Sequence, residues 1–225
     1  MPIDAPTHTR RCPRWQFYRL RLLLITVLLP VLAGCVTATV TPEPVFIREP
    51  RVAQIPLVVG VYYSDAFREL VYAQQGGPLI RHSFAIGGGS IKLIDEALAL
   101  LFKQVVLLPG PLSPGASPPN VAGVIEPSIS TVNLRHPPLG QTPSSGPFWM
   151  RTSIAYAFTL STPEGERLAA WEVEGDGVHI FGFENWNTAV KDSFERAMRE
   201  AGWKLVSGFR DIPDVARWLE LHGAK

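Results

Sequence analysis

The side chains that could carry acid–base or metal chemistry are few and widely spaced. After residue 35 the histidines are His82, His136, His179 and His222. None has the spacing of a metal-binding pair such as H-E-x-x-H, and no G-x-S-x-G nucleophile motif occurs. Glu172, Glu174 and Asp176 alternate, but charges at every second position usually form the solvated face of a strand. The sequence therefore predicts a protein that is not an enzyme, with neither a metal nor a cofactor.

A glycine run is the second candidate site. Gly87-Gly88-Gly89 precedes Ser90, a favourable N-cap residue, and the N–H groups at a helix N-terminus favour anions. Lys92 follows, yet a phosphate-binding P-loop has four residues between its first Gly and the Gly-Lys pair. We expect the glycines to break the chain before a helix capped by Ser90. A nucleotide site is the alternative.

The remaining reactive group is the thiol of Cys35. Five Arg residues between positions 10 and 21 precede an apolar run that ends at Leu32. This is the pattern of a secretion signal, and the run is shorter than the roughly 20 residues of a membrane span. Leu32-Ala33-Gly34-Cys35 resembles the lipobox of bacterial lipoproteins. The resemblance implies cleavage before Cys35 and acyl chains on that residue, and the alternative is an ordinary signal peptide with an incidental cysteine.

Such acylation would anchor the chain to a membrane. Each buried CH₂ contributes about 0.8 kcal/mol, and two or more acyl chains give stable attachment. In enterobacteria-like lipoproteins an acidic residue after the acylated cysteine favours the inner membrane, and here Val36 follows Cys35. The resemblance therefore implies an envelope protein in the outer membrane that faces the periplasm, with the membrane as its partner through acylated Cys35.

Charge and cysteine content narrow the function of the mature chain. Removing the five Arg and one Asp of residues 1–34 from 21 basic and 20 acidic residues leaves a formal charge of −3. That charge is not the basic footprint of a nucleic-acid-binding protein. Cys12 leaves with the signal, so Cys35 is the one cysteine that remains and no intrachain disulfide is possible. The fold must depend on its hydrophobic core.

Aromatic residues near loops are the candidate contacts to a partner protein. Trp149 and Trp186 flank predicted loops, and Phe181 and Phe183 belong to an aromatic loop before the last long helix. Rigid aromatic rings are frequent anchors in protein interfaces. We therefore expect these four residues to contact a partner protein. Replacement of either Trp by Ala should leave the thermal stability of the domain nearly unchanged. Trp171, Trp203 and Trp218 fit the periodic core pattern instead.

The elements that position these residues follow from apolar periodicity. Residues 151–161 alternate, with a turn at Pro163-Glu164-Gly165 and a partner strand at 167–174. An apolar phase change predicts a β-bulge near Ser130-Thr131. Residues 66–75 are open between helix and strand. The other predicted strands are 57–63, 83–86, 105–108 and 121–135, and the helices are 90–104, 187–209 and 213–223.

Three segments make up the predicted chain. Residues 1–34 are the signal peptide, residues 35–54 are the lipidated Cys and a Pro/Thr-rich tether, and residues 55–225 are a single domain. Val45-Phe46-Ile47 is open to an alternative, because it could add an edge strand. An extended tether of this length reaches about 60 Å.

The order of elements predicts an α+β fold. We expect a two-layer sandwich with a mostly antiparallel sheet and helices packed on one face. This arrangement weakly resembles small envelope lipoproteins of the LptE and YajG types. The lipid anchor, the tether and the lack of a catalytic constellation favour a non-enzymatic assembly or transport accessory with an envelope protein as its partner. The alternatives are a module that binds a lipid or other apolar ligand and, third, an enzyme.

Overall fold

The described part of the chain forms two sheets and four α-helices, the first of which is a single turn. The computed structural model describes residues 36–42, 52–75, 80–111, 120–136, 148–181 and 185–224. The described strands are β1 (Val36–Val40), β2 (Ile55–Val61), β3 (Val71–Gln75), β4 (Ile80–Ala85), β5 (Phe102–Leu107), β6 (Gly123–Arg135), β7 (Phe148–Ser161) and β8 (Arg167–Phe181). The described helices are α1 (Asp65–Arg68), α2 (Ile86–Leu101), α3 (Trp186–Gly208) and α4 (Pro213–Leu221).

The larger sheet has five strands in the order β5-β2-β6-β7-β8. The long strands β6, β7 and β8 pair antiparallel, whereas the shorter β2 is parallel to both β5 and β6. One face of β7 is buried at Ile154, Tyr156, Phe158 and Leu160, as the alternation predicts. Phe194 of α3 is also fully buried. The structure thus confirms an α+β sandwich with a mostly antiparallel sheet.

The predicted hairpin and bulge are both present. β7 and β8 pair from Ser161 with Arg167 to Phe148 with Phe181. The pairing of β6 with β7 shifts register between Ile129 and Thr131, where the phase change predicted a bulge. The shift lets one strand keep an apolar face toward the core along its whole length.

The smaller sheet has the order β1-β4-β3 and was not predicted. Residues 36–40, which the sequence analysis assigns to a tether, form β1 and pair in parallel with residues 80–84 of β4. Part of the proposed tether 35–54 therefore belongs to the folded unit. Residues 43–51, which include the alternative edge strand at 45–47, lie outside the described part of the chain.

The glycine run lies inside α2 and does not break the chain, which corrects the predicted N-cap at Ser90. The helix begins at Ile86, and Ser90 is a buried residue of its second turn. Added Cβ atoms at Gly87 would overlap the carbonyl oxygens of Phe67 and Arg68, and one at Gly89 would lie 2.8 Å from the Pro42 carbonyl oxygen. Glycine is required here because other backbone segments pack directly on the helix.

Helix α3 packs on β8 at backbone distance. Added Cβ atoms at Gly175 and Gly177 would overlap the carbonyl oxygens of Ala197 and Ser193 on the helix. A side chain on either strand residue would push the helix off the sheet. Because these glycines let the helix lie on the strand, β8 continues through them to Phe181. The sequence analysis predicted that the strand ends at residue 174.

The aromatic core joins the two sheets through α3. The ring of Phe194 stacks on Phe84 of β4 at 5.3 Å and contacts Tyr72 of β3 at 6.0 Å. Trp218 of α4 is buried, but Trp203 is 47% exposed, so the prediction of a core role for Trp203 is wrong. None of the described helices is long and apolar enough to cross a membrane.

Candidate functional site

The candidate site lies on the face of the five-stranded sheet that points away from α3, called the outer face below. Strand register places its side chains in rows across β6, β7 and β8. The first row is Trp149 and Ile180, the second is Arg135, Arg151 and Val178, and the third is Asn133, Ser153 and Asp176. The rows place apolar side chains directly beside charged ones.

Three exposed apolar residues form what we call the Trp149 patch. Trp149 is 38% exposed, Val178 is 46% exposed and Ile180 is 66% exposed. Trp149 and Ile180 are cross-strand partners, and Val178 pairs with Arg151 in the next row. A group of exposed apolar side chains on a rigid sheet is the kind of surface that proteins use for contact with partners.

The polar groove beside this patch is defined by Asn133, Arg135, Arg151, Ser153, Glu174 and Asp176 and has a volume of ≈ 240 Å³. Arg151 donates from Nε to Asp176 Oδ1 at 3.3 Å, and its Nη2 lies at the same distance from that oxygen. Arg135 faces Arg151 directly in the register, and no carboxylate of the described residues pairs with it. The groove thus holds two arginines and two carboxylates next to an apolar patch, and Arg135 has no ion pair within the described ranges.

Of the four predicted contact aromatics, the structure describes the side chains of Trp149 and Trp186, and these two lie in different places. Trp149 is on the outer face, as above. Trp186, the first residue of α3, is half-buried against the core, and its ring lies edge-on to His136 at 4.9 Å between centroids. Phe181 ends β8 opposite Phe148, and its side chain is not described. Phe183 lies outside the described residues.

Sequence reasoning missed Val178 and Ile180. The signal was present, because the alternation that puts Glu172, Glu174 and Asp176 on one face continues to both residues. The partner strand was predicted to end at residue 174, just before Gly175, and glycine weakens the apolar pattern of a strand. The glycines are contacts for α3 and are not chain breakers.

A second groove follows the free edge of β8. Its volume is ≈ 310 Å³, and its apolar wall includes Trp171, Val173, Leu205 and Phe209. Lys204 Nζ donates to the Glu174 carbonyl oxygen at 2.8 Å, and the Asp176 N–H donates to Glu200 Oε2 at 2.9 Å. Side chains of α3 thus cover part of the edge that a sheet otherwise leaves open.

Two pairs of buried hydroxyl groups lie within hydrogen-bond distance of each other. Ser90 Oγ donates to the Ile86 carbonyl oxygen at 2.8 Å, so the Tyr156 hydroxyl, 2.9 Å from Ser90 Oγ, donates to Ser90. Burial raises the pKa of Tyr156, and its hydroxyl stays a neutral donor. Ser193 and Thr152 share a similar contact at 2.6 Å. These hydroxyls join helices to the sheet within the core.

The histidines occupy separate places. His179 is buried on β8, with Nδ1 3.4 Å from Asp192 Oδ2 of α3. His222 Nδ1 lies 2.9 Å from the Trp218 carbonyl oxygen, and the side chain of His82 is not described. Across the described ranges no three His, Cys, Asp or Glu residues are arranged to hold a metal ion. Leu32, Ala33, Gly34 and Cys35 of the predicted lipobox lie outside those ranges.

Several solved structures resemble the chain at low sequence identity. No protein-family model and no curated protein sequence matches the chain. A DUF330 protein from Xanthomonas campestris is 13% identical, with 77% of this chain and 98% of that chain covered and a TM-score of 0.43. A protein described as a homolog of the neuraminyllactose-binding hemagglutinin, from Helicobacter pylori, is 6% identical, with 81% and 100% covered and a TM-score of 0.49. A minor lipoprotein from Acinetobacter baumannii is 6% identical, with 73% and 96% covered and a TM-score of 0.39.

Proposed function

We propose that the protein is a lipid-anchored lipoprotein of the bacterial envelope. The observation that carries the proposal is Leu32-Ala33-Gly34-Cys35 directly after a basic and then apolar leader. Acyl chains on Cys35 would hold the mature chain to the outer membrane on its periplasmic side. In lipoproteins like those of enterobacteria, an acidic residue after the acylated cysteine favours the inner membrane. Val36 holds that position here and is not acidic, which supports the outer membrane.

The anchor is tested by labelling with an alkyne analogue of palmitate in a bacterial host. We expect Cys35→Ala to lose the lipid label and to retain its uncleaved leader. The matched control is Cys12→Ala, because Cys12 is the other cysteine of the chain and lies in the leader. Label on the Cys35→Ala protein, or loss of label from the Cys12→Ala protein, would contradict acylation at Cys35.

We further propose that the anchored domain works without catalysis, as an assembly or transport accessory that docks on an envelope protein. The support is the Trp149 patch beside the polar groove on the outer face of the sheet. Trp149 and Ile180 stand on paired strands, so the face is rigid before binding and loses little conformational entropy on contact. Of the two predicted contact aromatics whose side chains are described, Trp149 is the more exposed.

A second candidate function is the binding of an apolar ligand at the free edge of β8. The groove bounded by Trp171, Val173, Leu205 and Phe209 favours it. Its volume is at the lower end of the roughly 300–1,000 Å³ of small-molecule sites. The two candidates separate in one experiment, because Val173→Trp, at a partly buried position of the groove wall, would fill this groove away from the outer face. If the protein's role in the envelope is lost in this variant and kept in variants of the outer face, the ligand-binding function is favoured.

A further inference from the structure

The outer face carries two positive charges directly opposite each other. Arg135 of β6 and Arg151 of β7 are register partners, and like charges in this position destabilise a sheet. Asp176 compensates Arg151 at 3.3 Å. Arg135 is exposed, and the described residues supply no carboxylate for it. The sheet thus retains an electrostatic cost at Arg135 that a bound carboxylate would remove.

The surroundings of Arg135 specify more than charge. Asn133 and Ser153 of the next row can donate or accept hydrogen bonds, and Trp149 and Ile180 of the Trp149 patch lie one row away in the other direction. Successive rows on one face of a sheet are about 7 Å apart along the strand. A ligand that reaches both features therefore presents a carboxylate about 7 Å from an apolar side chain.

A lipid surface fits this face less well than a protein does. Anionic headgroups would approach Arg135, but Glu174 and Asp176 line the same groove and would repel them. A protein segment can place a single carboxylate at Arg135 and leave the acidic side of the groove free. Charge complementarity thus favours a polypeptide of mixed character over a uniformly anionic membrane.

We infer that the outer face binds a segment of an envelope protein that presents an Asp or Glu side chain to Arg135 and a neighbouring apolar side chain to Trp149 and Ile180. This inference rests on the proposed docking function and assigns the chemistry of its partner. Arg135 sets specificity and the Trp149 patch supplies apolar contact area, because an exposed ion pair alone contributes little affinity.

The test is site-specific photocrosslinking in the native envelope. The full chain carries p-benzoylphenylalanine in place of the exposed Ile180, and mass spectrometry identifies the crosslinked peptide. We expect protein adducts whose peptides contain Asp or Glu within about four residues of the crosslink. Adduct yield should fall at least about five-fold in Arg135→Glu and by less in Arg135→Gln, because reversal adds repulsion whereas neutralisation only removes attraction.

The matched control is Arg199→Glu, which makes the same charge change on an exposed position of α3. Its adduct yield should equal that of the parent, and circular dichroism should show that all variants are folded. Protein adducts that persist in Arg135→Glu would overturn the acidic partner and leave docking in place. Phospholipid adducts at Ile180 would overturn it in favour of the membrane. Absence of adducts both from p-benzoylphenylalanine at position 180 and from the same probe at position 149 would refute docking by this face. Acylation of Cys35 is judged separately by lipid labelling.

Discussion

The Glu200 carboxylate and the Lys204 ammonium group lie 2.8 Å apart on α3, and each also binds a backbone group of the edge strand β8. The pair therefore fixes the helix over the strand edge in addition to stabilising the helix itself. The pKa of Glu200 is lowered first by its hydrogen bond with Lys204 and then by the hydrogen bond from the Asp176 N–H. Burial of the carboxyl group opposes these effects but does not outweigh them.

This arrangement predicts a pH-dependent contribution to stability. The folded pKa of Glu200 is below its unfolded value, so its charge stabilises the fold at pH above the unfolded pKa, and the effect is lost as pH falls through the folded pKa. Glu200→Gln should lower the free energy of unfolding at pH 7 by no more than about 1 kcal/mol, because the pair is partly exposed. Urea unfolding at neutral and acid pH should show that difference vanish in acid. Glu166→Gln, at an exposed turn residue, is the control, and an equal pH effect there would contradict the assignment.

The glycine run of α2 gives a prediction with opposite signs at adjacent residues. Gly87→Ala should destabilise the fold by about 1–3 kcal/mol, because the added methyl group overlaps the backbone of Phe67 and Arg68. Gly88→Ala should stabilise it by up to about 1 kcal/mol, because that position has open space and alanine is the better helix former. Thermal and urea unfolding of the two variants provide the measurement. Stabilisation by both would mean that the helix does not pack on α1 as described.

The Ser90–Tyr156 contact should couple helix α2 to strand β7. Tyr156→Phe and Ser90→Ala should each be destabilising, and a double-mutant cycle should give a coupling of about 0.5–1.5 kcal/mol. Tyr62→Phe is the matched control, because no hydrogen bond of the Tyr62 hydroxyl is described, and it should stay within about 0.5 kcal/mol of the parent. Strictly additive effects at residues 90 and 156 would argue against the hydrogen bond.

The two tryptophans that were predicted as equivalent contacts should now differ. Trp149→Ala should leave the melting temperature nearly unchanged and weaken crosslinking from position 180, since Trp149 is exposed on the outer face. Trp186→Ala should cost about 1–2 kcal/mol of stability, because its half-buried ring packs on the core and on His136. Calorimetry of the two variants decides between these roles. A larger loss of stability at Trp149 would place that residue in the core.

The sequence predicted contacts between neighbouring segments of the chain and missed a contact between distant ones. The β7–β8 hairpin and the bulge near Thr131 were predictable, because alternation and turn residues are local signals. The parallel pairing of β1 with β4 was not, since it joins segments more than 40 residues apart and neither alternates clearly. Parallel pairing has no adjacent turn residue to mark it.

Glycine was the main source of error. Gly87 was treated as a break before a helix, because glycine is unfavourable inside helices and strands, and the partner strand was predicted to end at residue 174, just before Gly175 and Gly177. Each instead lies where a second backbone passes within contact distance, which depends on tertiary packing. The same error hid Val178 and Ile180, so the sequence predicted one residue of the Trp149 patch and the structure supplied the other two.

The position of β1 has a consequence for how the protein would encounter its partner. Its first residue, Val36, follows Cys35 directly, so acyl chains on Cys35 would leave the folded unit almost no slack. On a flexible tether of about 60 Å the domain could sample a wide volume above the bilayer. Without that flexible tether an acylated chain would diffuse in the plane of the membrane at one height. A partner would then meet it by a two-dimensional search, and would have to display its binding segment at that height.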